Sequence, residues 1–296
     1  MHTESFLDFG ARLRSSPWAL EPGRMSALRQ LVDAGPRGAR ASRPPPRRRT
    51  AQSGTAVIAV HGILDQREGW LTLFGLGTAC TSISAALNDA LNDPSIGRIV
   101  IDVDSPGGAV AGVIELADEI FAARAKKPIV AVANSLAASA AYWLASQAGR
   151  VYVSPGGEVG SIGVFLAHED CSQALADAGV SITLVSAGKY KVEGNPFSAL
   201  DPTAQAFMQT RVNDCYSAFT KAVARGRGVP IDAVRSGMGL GRTLGAAQAM
   251  AERMVDGVMS FGEVMSGGLG AARAGLAAHA PRPNVAAALR ELGRLT

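Results

Sequence analysis

From Thr55 onward the chain alternates between short apolar runs and longer stretches with a helical apolar stripe. "TAVIAVHGIL" at 55–64, "RIVIDVD" at 98–104 and "PIVAVAN" at 128–134 are nearly continuous apolar segments, the pattern of strands buried on both faces. Helices are expected between them, near 81–92 and at 110–125. In the second, Val110, Val113, Ile114, Ala117, Ile120 and Phe121 share a face, with Asp118, Glu119 and Arg124 mostly off it. "LAASAAYWLASQAG" at 136–149 reads as the next helix, closed by Gly149. Short strands are expected at "RVYVS" and "SIGVFLA", a helix over "HEDCSQALADAG" and a buried strand at "SITLVSA", residues 181–187. A polar loop then leads to a long helix that begins at Pro202, after the cap residue Asp201. A helical piece near 245–253 and a weak strand at "MVDGVMS" complete the body. Buried strands alternating with helices imply an α/β architecture with mostly parallel pairing. Ligand sites in such folds lie at the carboxyl ends of the strands.

Composition limits what this body can do. The chain has 296 residues, 47% of them apolar, with 34 glycines, consistent with a compact, turn-rich α/β protein. Its formal net charge of +4 is concentrated in "RGARASRPPPRRR" at 37–49, which cannot build a packed core. A nucleic-acid surface on the folded part is therefore not indicated. Three parts are expected: 1–54, with a short helix in "GRMSALRQLVDAG" and an Arg/Pro-rich arm; 55–265, the ordered body; and 266–296, an Ala/Gly-rich tail with a short helix in "NVAAALRELGRL". Cys80, Cys171 and Cys215 are odd in number and form no CxxC or Cys/His cluster, which gives no support to a disulfide framework or a zinc site. No run has signal-peptide or membrane-span length. The expected location is the cytoplasm in which the chain is made, with no metal or cofactor.

Three unusual segments fall at strand ends: "SPGG" at 105–108, Ser139, and "GGEVGSIG" at 156–163. A strand, a tight turn and a small-residue helix opening at a serine is the geometry of a nucleophile elbow. The N–H after the serine, that of Ala140, suits an oxyanion, and a glycine turn can supply a second donor. The ordinary readings are blander. A serine in an Ala-rich helix is usually a packing residue, and "SPGG" is usually only a turn. A serine nucleophile also needs a base. His2 and His279 lie towards the termini and His61 follows the first strand, whereas His168 stands beside Glu169 and Asp170. Lys189 and Lys191, in "SAGKYKVEGNPF", are the other candidates. A lysine base must be neutral, which requires desolvation. The residues alone leave histidine and lysine open.

The order "PWALEPGRM", "DVDSPGGAVAG", "ANSLAASAAYWLAS", "GSIGV" with "AHED", and "SAGKYKVEGNPFSAL" resembles the signal peptide peptidase A (protease IV) family of serine–lysine peptidases. Within it, the capsid-assembly (prohead) proteases of lambda-like tailed phages are most similar. The likeness spans roughly 15–265. It implies a Clp protease/crotonase-like fold of stacked ββα units with a long C-terminal helix. Carried over by position, it implies Ser139 as nucleophile, Lys191 as general base, Ser161 as the serine that orients the lysine, and the N–H groups of Gly108 and Ala140 as oxyanion donors. It also implies protein substrates with small or apolar residues at the cleavage site, such as phage head, scaffold or portal proteins, and a ring-like homo-oligomer. Ala140 and Ala141 stand where many cellular members have glycines. The membrane anchor of the cellular enzymes is not expected here, nor is a long scaffold extension. Two other functions share the fold, an acyl-CoA enzyme of the crotonase type and a non-catalytic head component.

Overall fold

A computed structural model describes Leu13, residues 16–34 and residues 54–266. The Arg/Pro-rich arm, the tail with its expected helix, His2 and His279 lie outside the described residues. The elements in chain order are β1 (Trp18–Leu20), α1 (Pro22–Ala34), β2 (Thr55–His61), β3 (Ile63–Asp65), α2 (Trp70–Leu73), β4 (Gly77–Ala79), α3 (Cys80–Asn92), β5 (Arg98–Ser105), β6 (Gly107–Ala109) and α4 (Val113–Ala123). There follow β7 (Ile129–Ala138), α5 (Ala140–Ala145), β8 (Arg150–Val153), β9 (Glu158–Gly160), α6 (Ser172–Asp177), α7 (Pro202–Arg227), α8 (Ile231–Ser236), β10 (Thr243–Gly245), α9 (Ala246–Ala251), β11 (Gly257–Val258) and α10 (Phe261–Ser266).

A seven-stranded sheet forms the centre, in the order β10-β9-β7-β5-β2 with β8 and β11 branching from β7. Its pairs are parallel except β9 with β10, as the alternation of strands and helices requires. The long strand β7 serves two partners along one edge. Val130–Ala133 pair with β8, and Leu136–Ala138 pair with β9. A second sheet, β1-β6-β3-β4, lies beside it.

The expected strands at 98–104 and 128–134 are present, the last longer than its apolar run suggested, whereas the run at 55–64 breaks at Gly62 (φ 68°) into β2 and β3, which belong to different sheets. Leu136–Ala138 continue β7 instead of opening a helix, because their backbone is taken up by β5 and β9. The helix therefore starts at Ala140. Ile99, Ile101 and Val103 of β5 pack with Ile83, Leu87, Leu116 and Ile120 in the main core. Val100, Val130 and Val132, on the opposite face, are covered by α10. The long helix begins where Asp201 caps it, accepting from the Thr203 N–H at 2.7 Å, and Gly228 ends it in the left-handed region.

Two expectations for the middle of the chain fail. "SIGVFLA" makes only an isolated bridge, Phe165 with Trp18. "SITLVSA" is not a strand at all. Val180, Ile182, Leu184 and Val185 are exposed, Val185 at 95%. Its β-branched pattern is that of a buried strand, but it pairs with no strand among the described residues. The expected helix at 168–179 is reduced to Ser172–Asp177 and buries no residue.

Candidate active site

Ser139 joins β7 to α5 with φ 54° and ψ −121°, a backbone conformation that a non-glycine residue adopts only when its surroundings enforce it. The surroundings here do so. The Ser139 N–H donates to the Gly160 carbonyl at 2.7 Å, and its own carbonyl accepts from Trp143 N–H at 2.9 Å. Strand pairing thus holds the residue from behind and the helix holds it from ahead. The hydroxyl makes no cap to the helix. It donates only a long 3.4 Å hydrogen bond to the Gly163 carbonyl. The residue is 1% exposed.

The short helix behind the serine is anchored by the long one. Trp143 stacks on Phe219 with ring centroids 4.4 Å apart. Gln147 donates to the Ala222 carbonyl at 3.0 Å and accepts from Arg225 at 2.9 Å. The two helices meet at Gly226, where a Cβ would lie 2.1 Å from the Ser146 carbonyl oxygen. Tyr142 is fully buried and donates to the Met254 carbonyl at 2.8 Å.

The glycine turn that follows β5 is pressed against this elbow. Gly107 has φ +95°, and a Cβ there would stand 2.9 Å from Ser139 Cβ and 2.3 Å from the Ala19 carbonyl oxygen. Its N–H donates to Ser105 Oγ at 3.2 Å. Gly108 follows in β6, between β1 and β3. The N–H of Ala140, at the first position of α5, has no intrahelical acceptor. Ser161 is buried, with φ 53°, directly after the Gly160 that accepts from Ser139. Its N–H donates to the Arg242 carbonyl at 2.8 Å. The structure therefore brings Ser139, Ala140, the 107–108 glycines and Ser161 into one neighbourhood.

Among the described residues, none of the candidate bases is hydrogen-bonded to Ser139. His168 Nε2 lies 3.0 Å from the Asn195 carbonyl oxygen, so that nitrogen is a donor. The acids beside it are engaged elsewhere: Glu169 pairs with Arg29, and Asp170 accepts from Ser172 N–H at 2.9 Å. A serine–histidine–acid set is thus not assembled. Lys189 sits over the Tyr190 ring, 4.8 Å from its centroid. Lys191 is exposed in the 188–200 loop, where its N–H donates to the Gly188 carbonyl at 3.1 Å. No hydrogen bond or ion pair links it to Ser139 among the described residues.

One polar pair escaped the sequence reading. His61 Nε2 and Asp102 Oδ2 are 3.0 Å apart, and Asn134 Nδ2 donates to Asp102 Oδ1 at 3.2 Å. The Asp102 hydrogen bond raises the His61 pKa against the opposing effect of burial, with the Asp102 and Asp104 charges adding to it. The pair occupies the face of the sheet opposite the main core, because His61, Asp102 and Asn134 alternate with core residues on β2, β5 and β7. The signal was the parallel register of β2 with β5, which residues 41 positions apart do not reveal. Among the described residues, no group of His, Cys, Asp and Glu could hold a metal ion, and no helix is long and apolar enough to cross a membrane.

The sequence is similar to those of known proteins. The chain is 37% identical over 213 residues to the head-tail preconnector protein GP5 of Enterobacteria phage P21, covering 72% of this chain and 41% of that protein. It is 37% identical over 202 residues to capsid assembly protease C of Escherichia phage lambda, covering 68% of this chain and 44% of the relative. Protease 4 of Salmonella typhi is 34% identical over 174 residues, covering 58% of this chain and 27% of its own length. The chain thus spans less than half the length of these relatives. Residues 122–267 match peptidase family S49, a stretch that includes Ser139, Ser161 and Lys191. The chain therefore carries a peptidase family S49 domain, and its mostly parallel sheet has the Clp protease/crotonase-like fold expected of one.

Proposed function

We propose that the chain is a serine endopeptidase that trims phage head proteins during procapsid maturation, with Ser139 as nucleophile and Lys191 as general base. The carrying observation is the Ser139 elbow, a strained and buried serine whose hydroxyl is not used for capping, inside an S49 domain. Lys191 takes the Ser139 proton as Oγ attacks the scissile carbonyl, and the N–H groups of Ala140 and Gly108 hold the oxyanion. The leaving amine departs protonated, and water then hydrolyses the acyl-enzyme. Ser161 orients the lysine. Substrates are extended segments with small or apolar residues at the cleavage site, such as head, scaffold or portal proteins.

Only a neutral lysine can accept that proton, and desolvation is what favours the neutral form. The exposed Lys191 loop must therefore be covered before the dyad works. Val180, Ile182 and Leu184, exposed and alternating like a strand just ahead of it, give the loop a surface to dock with. A neighbouring subunit of a ring-like homo-oligomer supplies the cover. The test is peptide mapping of head proteins co-expressed with the wild type and with Ser139→Ala. Cleavage that depends on Ser139 is expected. Identical cleavage with both would remove the assignment.

A further inference from the structure

An extended peptide reaches a serine peptidase by adding a strand to an open sheet edge beside the nucleophile. Here the edge beside Ser139 belongs to β6, which carries Gly107 and Gly108, and it is not open. β3 lies along one side of β6 and β1 along the other. The β1 pairing is antiparallel, with Trp18 opposite Ala109, Ala19 opposite Gly108 and Leu20 opposite Gly107. It continues at both ends: Glu21 N–H donates to the Pro106 carbonyl at 2.8 Å, and Val110 N–H to the Pro17 carbonyl at 3.4 Å. On its far side Trp18 exchanges two hydrogen bonds with Phe165, at 2.9 and 3.0 Å. Residues 17–21 thus run as one strand between the glycine turn and the segment that follows Ser161.

We infer that "PWALE", residues 17–21, is a built-in occupant of the substrate strand's seat, and that a substrate enters only when this strand is displaced. The inference rests on Ser139 as the nucleophile. The Ala19 carbonyl oxygen and Ser139 Cβ both lie within 3 Å of the point that a Gly107 Cβ would occupy, so the bond following Ala19 passes the serine. Trp18, Ala19 and Leu20 are completely or almost completely buried, as is Ser139. Trp18 and Leu20 pack with Met25, Leu28, Trp70 and Leu71 in a second cluster, and only the small Ala19 between them reaches the main core, so lifting this strand withdraws one methyl group from that core. The arrangement also defines the peptide that fits. A small residue stands opposite Gly108, flanked by large apolar residues on both sides.

The test reads access to residue 139 and does not depend on catalysis. Full-length Ser139→Cys is treated with iodoacetamide, and alkylation at each cysteine is followed by peptide mapping. Cys171 is half-buried and Cys80 is buried in the main core, so they serve as the reference and as the report on folding. Residue 139 should react far more slowly than Cys171. Adding Trp18→Ala should speed it about tenfold or more with Cys80 still protected, since local opening then costs less. Excess of the hexapeptide Ser-Pro-Trp-Ala-Leu-Glu should restore protection, whereas the same peptide with Arg for Ala should not. Unchanged reactivity at 139 in the Trp18→Ala variant, or a peptide without effect, would overturn the inference. If Cys80 also reacts, the variant has unfolded, and hydrogen exchange of the unmutated chain decides instead. Amides of 18–20 and 107–109 should exchange well before those of β5 and β7; equal protection would count against a displaceable strand. A dyad assignment that proved wrong would abolish none of these signals, so the two failures are distinguishable.

Discussion

The Ser139 elbow and the Lys191 loop hold the two halves of one proposed catalytic pair, yet the chain treats them in opposite ways. At the elbow, two sheet strands, the glycine turn and two helices converge, and Ser139 is held in a conformation it would not adopt alone. In the loop, the preceding apolar residues face outward and Lys191 rests on one backbone hydrogen bond from a nearby turn. The nucleophile is therefore organised by the fold itself. The base is not, and needs a further burial step. On the proposed reading, a pair divided in this way is inactive until the loop is covered.

Ser139→Ala and Lys191→Ala should each lose nearly all cleavage of co-expressed head protein, on the order of a thousandfold or more. Lys189→Ala and His168→Ala should keep most of it, because Lys189 lies over Tyr190 and His168 is committed to Asn195. Ser161→Ala should slow cleavage by about ten- to a thousandfold, the scale of one positioning hydrogen bond, and leave the melting temperature nearly unchanged.

Stability measurements sharpen the same contrast. Asp256 ties β8 to α7 through Arg150 at 3.3 Å, Arg227 at 2.9 Å and the Val151 N–H at 2.8 Å. Burial alone would raise its pKa, but the Arg227 hydrogen bond and charge outweigh that and hold the carboxyl below the usual range. Its contribution is therefore present above the unfolded value of about 3.9 and is lost as pH falls through the lower folded value. Asp256→Asn should cost about 3 kcal/mol at neutral pH, because it strands the buried Arg227 charge. That loss should shrink in acid, as denaturant titrations at several pH values would record. By contrast Val185→Ser, in the exposed loop, should change the stability of the isolated chain by less than about 0.5 kcal/mol. A large effect there would mean that the loop is already packed.

The sequence made the elbow easier to see than its setting. Strands within the runs at 55–64, 98–104 and 128–134 announce themselves because each run is apolar almost throughout, and Ser139 stands out after the last. β1 was not legible: Trp18–Leu20 is only three residues, bounded closely by Pro17 and Pro22, too short to display a period of two. β6 read as a turn because Gly107 and Gly108 carry no side chain to mark a face. Both acquire their structure only from each other, some ninety residues apart. "SITLVSA" failed in the other direction. Its composition suits a buried strand, but composition does not supply an edge to pair with. The His61–Asp102 pair was hidden for the reason β1 was, since only strand register brings its members together.

His61 gives the smallest expected effect and sits outside the contrast between elbow and loop. Its pKa is raised, so the ion pair with Asp102 stabilises fully below about 6.5 and fades as pH rises through the folded value. Because the imidazole is half-exposed, His61→Gln should cost about 0.5 kcal/mol or less, and only on the acid side.

The central claim is that a lysine in an unorganised loop serves a serine held by the fold. The most direct test is the pH dependence of head-protein cleavage by the wild type beside Lys191→Ala and His168→Ala. The account predicts that wild-type activity still climbs in mildly alkaline buffer, that His168→Ala follows the same curve, and that Lys191→Ala is inactive throughout. A wild-type plateau near neutrality, with His168→Ala inactive and Lys191→Ala active, would contradict it.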